Sequence, residues 1–466
     1  MRFLFNTLPT SHFNFTVPIA QILRSKEHEV AYATGKRLKD VIEEEGFKFY
    51  EAWPDIPFHH TDEYYLEAQR KLNLPLPRHA RLTAKLLQPI APHIAADIEA
   101  VAVFIAITPT IVERTLPVIE KFKPDVLIFD SAVYAAPIIG KLTRIPWATI
   151  SHFPNMIPDE TVPPPGSGLP SSRNFSTMQL NKAVNRLVWW YLRRFDSLSD
   201  RNYHTFGLSP TRDSILKASL SPFLFIGVTS PIFEVPSRSF PPQVHLVGPS
   251  VWNKSKNVTT PKWLDDLPKD KPIVHVTLGT NKSRLAQRLL TKLIKELSVS
   301  DLFVILSAGA NRELIQNIHT PPNFVITEYV PHQQLLPKVN TVVHHGGLNT
   351  TMAVLFSGLP SVIIPLAYDQ PDNAQRCVEL GVAIRLDPVW HIPGSLRRSV
   401  FEVLENPAYK QRALQVKEAL SQQNGPQLAA NLLICLAETG DPVLRSHLRQ
   451  AISAQVPEEE MRSHAI

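Results

Sequence analysis

Residues 342 to 385 read VVHHGGLNTTMAVLFSGLPSVIIPLAYDQPDNAQRCVELGVAIR, and this stretch decides the fold. The pattern of its apolar and polar residues predicts, in order, a strand, a glycine turn, a helix, a strand, a polar loop, a helix and a strand. The first apolar run ends at Gly346 and Gly347, and Met352 and Phe356 then recur at helical spacing. The pattern predicts a helix that begins just beyond a buried strand.

The start of that helix is suited to binding an anion. Free backbone N–H groups and the positive end of the helix dipole favour phosphate, and glycine lets the chain approach it closely. His345 and the hydroxyl groups of Thr350 and Thr351 add side-chain donors at the same point. The next loop adds polar side chains that suit sugar hydroxyls, namely Asp369, Gln370 and Asn373. A phosphate site beside a sugar site is therefore predicted.

The stretch resembles the donor-binding signature of the family 1 nucleotide-sugar glycosyltransferases, whose members transfer a sugar to small or lipophilic acceptors. The shared pattern, HGGxNTT…GLPxxxxPxxxDQxxNA, runs from His345 to Ala374 and is far more specific than a lone glycine motif. A weaker resemblance extends over nearly the whole chain, starting at His12. It implies a GT-B fold, in which two Rossmann-like domains face each other across a cleft.

One departure from the common pattern separates the branches of that family. Many members carry a glutamate that holds the ribose hydroxyls, and this chain has Ala353 at the matching position. The branch with lipophilic or antibiotic acceptors, which includes sterol and glycopeptide glycosyltransferases, often lacks the acid and shares the HHGG sequence. The resemblance therefore implies a small hydrophobic acceptor. It makes a UDP-hexose the first expectation for the donor and a dTDP-sugar the second.

Short apolar strands alternate with helices in both halves of the chain. Such alternation indicates parallel sheets that are covered by helices on both faces. The expected fold class is therefore α/β, with two Rossmann-like, doubly wound parallel-sheet domains. The predicted strands are Arg2–Asn6, Glu29–Ala33, Asp125–Phe129, Trp147–Ile150, Pro272–Leu278, Leu302–Ser307, Phe324–Ile326, Thr341–His345, Ser361–Pro365 and Val382–Leu386.

The boundaries between the domains follow changes in composition. Residues 231–270 are rich in Pro, Ser and Lys, and they are predicted to link an acceptor-binding domain, 1–230, to a nucleotide-sugar-binding domain, 271–440. Residues 441–466 are predicted to form a helical tail. The resemblance implies that the end of the chain packs back on the first domain.

The composition is that of a globular chain with a mild positive charge. Its 466 residues are 44% hydrophobic, which is enough for two cores, and the net charge is +6. The Lys and Arg residues are scattered, so binding to nucleic acid is not favoured. A polyanionic ligand or a peripheral contact with an anionic membrane surface stays open.

Three features of the sequence concern the compartment. Cys377 and Cys435 lie in helical patterns without disulfide or metal spacing, which suits a reducing environment. The N-terminus, MRFLFNTLPTSHF, lacks the apolar core and cleavage site of a signal peptide. No apolar stretch approaches the ~20 residues that span a bilayer. A cytoplasmic location is expected.

His12 is the candidate catalytic base. It lies in the loop after the first strand, and ligands collect at the carboxyl ends of strands in an open parallel sheet. The resembling family uses a histidine at this position as general base and an aspartate, at the position of Asp130, as its partner. A carboxylate would fix the ring tautomer and stabilise the imidazolium. Alternatively, Asp130 only caps the helix that follows it.

The resemblance also assigns residues to the donor diphosphate. His345, Asn349 and Thr350 would contact the phosphates, and Gly347 would allow their close approach. The facing turn, GTNKS, adds two polar residues, although a plain strand-to-helix turn explains that sequence equally well: Thr280 and Asn281.

The sugar and the base would be held by two further segments. Asp369 and Gln370 match the acidic-Gln pair that binds sugar hydroxyls, although an ordinary loop before a helix capped by Asp372 is the alternative. The segment ITEYVPHQQLLP matches the part of the family that stacks an aromatic ring on the base and reads its edge with a main-chain amide. The residues at those positions are Tyr329, where tryptophan is frequent, Val330, and His332, where glutamine is frequent.

Neither a metal ion nor a cofactor is expected besides the nucleotide-sugar, which is a co-substrate. His344 and His345 are neighbours on a strand, so their side chains point to opposite faces and cannot easily bind one ion. No Cys or HExxH pattern nearby completes a set of ligands. The helix N-terminus is expected to take the charge-neutralising role of a divalent ion.

A cluster of aromatic and cationic residues lies in a predicted helix of the first domain. It is the segment LVWWYLRR, Leu187–Arg194. Such a helix can line an acceptor pocket or touch an anionic membrane, and an aromatic cluster can equally belong to the core.

Together these features predict an inverting glycosyltransferase. Two alternatives stay open. A nucleotide-sugar epimerase on the same scaffold would need no acceptor, and a non-catalytic accessory protein that binds nucleotide-sugar would need neither His12 nor Asp130.

Overall fold

Two parallel sheets form the framework of the chain. The computed structural model describes residues 1–55, 68, 70–87, 92–152, 157, 159, 162–171, 174–210, 220–235, 238–252, 261–279, 284–309, 319–389 and 393–446. Within these residues, the first sheet has seven strands and the second has six. The predicted class, α/β with two parallel-sheet domains, is confirmed.

The first sheet has the strand order β3-β2-β1-β4-β5-β6-β7, and every pairing is parallel. Its strands are β1 (Arg2–Asn6), β2 (Glu29–Gly35), β3 (Lys48–Trp53), β4 (Val126–Asp130), β5 (Trp147–Ser151), β6 (Leu224–Gly227) and β7 (Val244–Leu246). The strand order reverses between β1 and β4, and ligands bind at such a switch point.

The second sheet repeats this pattern with the order β10-β9-β8-β11-β12-β13, again all parallel. Its strands are β8 (Ile273–Thr277), β9 (Phe303–Ser307), β10 (Phe324–Thr327), β11 (Thr341–His344), β12 (Ser361–Ile363) and β13 (Ala383–Arg385). The order reverses between β8 and β11. Residues 342–385 supply β11, β12 and β13, so the stretch that decides the fold forms one half of this sheet.

Helices connect the strands in both halves. They are α1 (Val17–Ser25), α2 (Lys39–Glu44), α3 (Arg78–Leu87), α4 (Pro92–Ala106), α5 (Thr108–Phe122), α6 (Ala136–Thr143), α7 (Phe175–Leu192), α8 (Asp196–Thr205), α9 (Arg284–Ser298), α10 (His332–Leu335), α11 (Leu348–Phe356), α12 (Gln370–Glu379), α13 (Ser395–Glu405), α14 (Pro407–Ser421) and α15 (Gly425–Thr439).

Both faces of each sheet are buried. In β1, Phe3 and Phe5 pack into one core and Leu4 packs into the other. In β11, Val342 and Val343 likewise point into different cores. Burying side chains of this size contributes roughly 1.5–3 kcal/mol each. The strands are therefore nearly continuous apolar runs, which made them readable from the sequence.

All the strands predicted from the sequence are present, and three strands were not predicted. β3 carries two charged residues and is only partly buried, while β6 and β7 have four and three residues. Such short or mixed segments leave little periodic signal. β7 falls inside residues 231–270, so only part of the predicted linker connects the domains and the rest completes the first sheet.

The last described helix, α15, packs on the first half of the chain. Leu433 and Leu436 share a core with Ile19 and Leu23 of α1. The crossing segment therefore includes α15, which begins at Gly425, within the range predicted as the second domain. The predicted tail, 441–466, starts after this helix, and residues 447–466 lie outside the described residues.

Among the described residues, no single helix is long and apolar enough to cross a bilayer. By length and composition alone, residues 94–106 and 108–122 would pass as a pair that is bent by 49°. Both helices contribute side chains to the core of the first domain, including Val103 and Ile111.

Candidate active site

Three polar side chains follow the ends of neighbouring strands in the first sheet. The chain leaves β1 through a 3-10 turn, Ser11–Phe13, which carries His12. Asp130 is the last residue of β4, and His152 directly follows β5. Because β1, β4 and β5 are adjacent and parallel, their carboxyl ends meet at one edge of the sheet.

The His12 ring is hydrogen-bonded to the Asp130 carboxylate. Nδ1 of His12 lies 2.8 Å from Oδ2 of Asp130, so the ring N–H donates to the carboxylate. Oδ1 of Asp130 accepts from the backbone N–H of Ala132, also at 2.8 Å. The alternative, in which Asp130 caps the following helix, is wrong, because α6 begins at Ala136 and Ala132 lies in the turn before it. Its side chain is fully buried, whereas that of His12 is 26% exposed, which leaves Nε2 as the outward nitrogen.

Burial disfavours charge on both partners, but their mutual attraction is stronger. Burial lowers the pKa of His12, and the Asp130 carboxylate raises it, with the net result above the usual 6.5. Burial likewise raises the pKa of Asp130, and His12 lowers it, with the net result below the usual 3.8. The pair is therefore ionic below the pKa of His12 and ready to accept a proton above it.

His152 is a third member of this cluster. Its ring meets the His12 ring edge-on, with centroids 4.3 Å apart, and its Nε2 lies 4.0 Å from Oδ2 of Asp369 in the second domain. Burial, and then the charge on His12, lowers the pKa of His152 to about 3. A neutral His152 stands between the base and the predicted sugar site without competing for the proton.

In the second domain, the glycine turn after β11 presents a helix N-terminus. Gly346 adopts a left-handed conformation with φ +87, and α11 begins at Leu348 after Gly347, which offers no capping side chain. The first N–H groups of α11 are therefore left for a ligand. One predicted donor is wrong: the hydroxyl of Thr351 is buried and donates to the carbonyl of Gly347 at 3.1 Å, as helix-interior threonines often do. Thr350 is partly exposed.

The ring of His345 fills the space between two glycines. A Cβ added to Gly279 would lie 2.6 Å from Cε1 of His345, and one added to Gly347 would lie 2.5 Å from Nε2. Any side chain at either position would displace the ring. Glycine at 347, which we expected to admit a phosphate, thus also makes room for this imidazole.

Burial favours the neutral form of three other histidines of this domain, His344, His332 and His275. Nδ1 of His344 accepts from the N–H of Gly346 at 3.1 Å, and burial holds the pKa of His344 well below its usual value. Burial also lowers the pKa of His332, and it lowers the pKa of His275 to about 3. Positive potential at the predicted phosphate site therefore comes from the helix N-terminus rather than from these rings.

The predicted sugar-binding pair is only partly available. Oε1 of Gln370 accepts from the N–H groups of Leu366 and Ala367 at 2.8 and 3.0 Å, so its amide oxygen holds the loop and only its NH2 group can face a sugar. Oδ2 of Asp369 accepts from Nδ2 of Asn373 at 2.7 Å. Burial raises the pKa of Asp369 to about 6.

The predicted base-binding segment lies between β10 and α10. Tyr329 is 53% exposed and offers a face for stacking, whereas the side chain of Val330 is buried. His332 begins α10, where burial keeps it neutral. Thr280 and Asn281 lie outside the described residues.

The two domains meet beside the base. Nδ2 of Asn349 donates to the carbonyl of Ser11 at 3.3 Å, one residue before the catalytic candidate. Oδ1 of Asp97, in α4, accepts from the N–H of Tyr368 at 3.1 Å. Tyr368 has a left-handed φ of +59 and immediately precedes Asp369. A carboxylate of the first domain therefore holds the backbone next to the predicted sugar contact.

A second carboxylate, Asp372, belongs to the second domain and accepts hydrogen bonds from the first domain. Oδ2 and Oδ1 of Asp372 accept from the N–H groups of Gly166 and Gly168 at 2.9 and 2.7 Å, and Nη1 of Arg385 donates to the carbonyl of Gly168 at 2.6 Å. The interpretation of Asp372 as the cap of its own helix is wrong, because both its oxygens accept from the other domain. We name this set of contacts the interdomain latch.

One group in the described part of the chain has ligand atoms close enough to hold a metal ion. It consists of His12, Asp130 and His152, with all three atoms within 4.8 Å of one another. An ion bound there would draw on the imidazole and carboxylate that form the hydrogen-bonded pair. It would therefore compete with proton transfer by that pair.

The chain matches known transferases along nearly its whole length. Residues 291–436 match the family model of the erythromycin biosynthesis protein CIII-like C-terminal domain. The chain is 29% identical over 439 residues to 4'-demethylrebeccamycin synthase of Lentzea aerocolonigenes, with 93% of this chain and 98% of that relative covered. It is 25% identical over 446 residues to 3-alpha-mycarosylerythronolide B desosaminyl transferase of Saccharopolyspora erythraea, with 91% and 96% covered.

A solved structure shares the arrangement of the domains. The glycosyltransferase VinC in complex with dTDP matches with a TM-score of 0.64 and 21% identity, and the match covers 94% of this chain and all of that one. This chain has the GT-B fold and is similar to glycosyltransferases of antibiotic pathways. The predicted family and fold are confirmed, and so is the likeness to the branch that acts in antibiotic and secondary metabolism.

Sequence reasoning missed two polar residues of this site. His152 follows the end of a predicted strand, which is the same signal that singled out His12, so it could have been found. Asp97 lies inside a helix, and its partner is 271 residues away. No local pattern marks such a contact.

Proposed function

We propose that this glycosyltransferase inverts configuration as it moves a hexose from a nucleoside diphosphate sugar to a hydroxyl group of a small hydrophobic acceptor. The observation that supports this most directly is the 2.8 Å hydrogen bond between the partly exposed His12 and the fully buried Asp130. Transfer to a hydroxyl needs such a base, whereas simple binding of a nucleotide-sugar does not.

His12 acts as the general base in this proposal. Its Nδ1–H donates to Asp130, which fixes the tautomer so that Nε2 carries the lone pair. Nε2 takes the proton of the acceptor hydroxyl while the oxygen attacks the anomeric carbon. The bond from that carbon to the diphosphate oxygen breaks, and its electron pair leaves with the nucleoside diphosphate. A single displacement inverts the anomeric configuration.

The leaving group is stabilised by the N-terminus of α11, with His345 and Thr350 beside it. Fixed N–H groups suit this role because they need no reorganisation as charge develops on the diphosphate. The proposal therefore includes no metal ion and no cofactor. A rate unchanged by EDTA is expected, and a rate that falls with EDTA and recovers with added magnesium would contradict this part of it.

For the donor, we propose a UDP-hexose first and a dTDP-sugar second. Ala353 cannot accept a hydrogen bond from the ribose 2′-hydroxyl, so discrimination between ribose and deoxyribose should be weak. The missing hydrogen bond would be worth about 0.5–1.5 kcal/mol, or about 2- to 13-fold in kcat/KM, so the two donors should differ by less than this factor. The solved relative in complex with dTDP supports including the second donor.

The proposed function can be tested by incubating the protein with UDP-glucose or dTDP-glucose, with and without a panel of hydrophobic alcohols and phenols. Acceptor-dependent release of the nucleoside diphosphate, together with an inverted anomeric signal in the NMR spectrum of the product, is expected. Conversion of the sugar without an acceptor would instead indicate an epimerase. Tight donor binding without either reaction would indicate an accessory protein.

A further inference from the structure

Two helices of the first domain expose apolar side chains to solvent. On α7, Leu180, Leu187 and Trp190 are 48%, 62% and 58% exposed, and their spacing places them along one stripe of the helix. On α3, Leu82 and Leu86 are one turn apart and are 61% and 68% exposed. A helix on a globular protein normally turns such residues toward the core, so these stripes are available for a partner.

The two helices are in contact with each other. The ring of His79, in α3, lies 6.1 Å from that of Tyr191, near the end of α7, and 5.1 Å from that of Phe195, in the 3-10 turn that follows α7. We call the exposed sides of residues 78–87 and 174–194 the basic apolar face. The exposure of Leu187 and Trp190 shows that this part of the cluster predicted from the sequence lines neither the core nor an enclosed acceptor pocket.

All the charged residues of the basic apolar face are cations. Residues 78–87 and 174–194 contain no Asp or Glu, and their cations are Arg78, Arg81, Lys85, Lys182, Arg186, Arg193 and Arg194. All of these except the partly exposed Lys182 are exposed. The guanidinium of Arg194 stacks over the Trp190 ring at 4.7 Å. The acids that follow along the chain, Asp196 and Asp200, are only partly exposed.

We propose that the basic apolar face binds an anionic phospholipid membrane surface. Leucine and tryptophan side chains can enter the boundary between headgroups and acyl chains, while arginine and lysine pair with lipid phosphates. A second copy of this chain would present the same positive charge and would be repelled. Membrane binding by the acceptor domain would bring it to the phase in which hydrophobic acceptors concentrate. The inference depends on neither the identity of the donor nor the role of His12.

The test is co-sedimentation of the full chain with vesicles of phosphatidylglycerol and phosphatidylcholine, compared with vesicles of phosphatidylcholine alone. Binding that requires phosphatidylglycerol, weakens at high salt and shifts tryptophan emission to shorter wavelength is expected. Equal binding to both kinds of vesicle, or binding to neither, would overturn the proposal.

Two double variants locate the surface. Arg186→Gln with Arg193→Gln removes two cations and is expected to weaken partition into anionic vesicles roughly 30-fold, because each cation near the surface contributes about 1 kcal/mol. Leu187→Ser with Trp190→Ser should weaken it and abolish the emission shift. Variants that bind as tightly as the unaltered protein would contradict the assignment of this face.

The matched control changes an exposed apolar residue and an exposed cation of the second domain, Val299→Ser with Lys292→Gln, and should leave vesicle binding unchanged. Because all the altered side chains are exposed, the melting temperature and the release of nucleoside diphosphate in vesicle-free buffer should not move. If chromatography without lipid shows a dimer that Trp190→Ser dissociates, the face binds a second copy and the membrane proposal is wrong.

Discussion

His12 of the first domain and the buried histidines of the second domain differ in the direction of their pKa shifts. In the first domain, burial lowers the pKa of His12, but the facing Asp130 carboxylate raises it further, above the usual value. In the second domain, burial without a facing carboxylate lowers the pKa of His344 far below that value and the pKa of His275 to about 3. The same side chain therefore favours the charged form at position 12 and the neutral form at positions 344 and 275. An ionised partner, rather than burial, decides which it becomes.

This contrast suggests that the two sides of the cleft have different functions, namely proton transfer and anion binding. In the proposed mechanism, the first domain accepts the proton at His12, with the buried Asp130 carboxylate behind it. The second domain binds the diphosphate through backbone N–H groups at the start of α11. Substitutions that act on one domain should therefore change one property and leave the other intact.

The sharpest test removes the proton carrier. His12→Ala is expected to lower kcat by roughly 10²–10⁴-fold, because a positioned general base contributes about that much. Calorimetric titration should give an unchanged dissociation constant for the nucleoside diphosphate, which binds the other domain. His204→Ala, at an exposed histidine of α8, is the control and should keep full activity. An unaltered rate in His12→Ala would end the assignment of the base.

Replacing the partner should move the pH profile as well as the rate. Asp130→Asn is expected to lower kcat by about 10²–10⁴-fold, because an amide can hold the wrong ring tautomer. The rate needs neutral His12, so in the unaltered protein it rises with pH through a pKa above 6.5. In the variant the rising part of the profile should move to lower pH, because burial still lowers the pKa of His12 and the Asp130 carboxylate no longer raises it. If the rising part of the pH profile does not move, a group other than His12 controls the pH dependence of the rate.

The same pair should make stability depend on pH. Because the folded pKa of His12 is raised, its stabilisation is complete below 6.5 and is lost as pH rises through the folded value. Because the folded pKa of Asp130 is lowered, its stabilisation is complete above 3.8 and is lost as pH falls through the folded value. Asp130→Asn should therefore lower the melting temperature most between pH 3.8 and 6.5 and less in alkaline buffer. A uniform loss at all pH values would contradict this linkage.

The two domains also differ in how much of their site could be predicted from the sequence. The proposed anion site lies within residues 342–385, where strand, glycine turn and helix follow each other, so a local pattern was enough to predict it. His12 and Asp130 are 118 residues apart. They were predicted only because His12 lies in the loop after a strand, Asp130 ends a strand, and both match family positions. The partners of Asp97 and Asp372 lie in the other domain, so neither contact has a local signature.

The second domain can be tested at a glycine. Gly279→Ala would place a Cβ against the His345 ring and displace it, so the dissociation constant for the nucleoside diphosphate should rise roughly tenfold, the value of a charge-assisted hydrogen bond. Gly394→Ala is the matched control, because Gly394 also has positive φ but would meet nothing within 4 Å. The apparent pKa of the pH–rate profile, which we attribute to His12, should be the same in both variants. An equal loss of affinity in both would mean that backbone strain, rather than His345, is responsible.

The smallest effect is expected from a substitution at the interdomain latch, which tests whether each domain forms its part of the site independently. Asp372→Asn weakens the charge-assisted bonds from Gly166 and Gly168, which costs about 1–3 kcal/mol of stability. If the interdomain latch also positions Asp369, the KM for the donor sugar should rise a few-fold while the affinity for the free nucleoside diphosphate stays constant. Asp301→Asn, at an exposed carboxylate, is the control. A lower melting temperature with an unchanged KM would mean that the latch only joins the domains, and that each half of the site forms without help from the other.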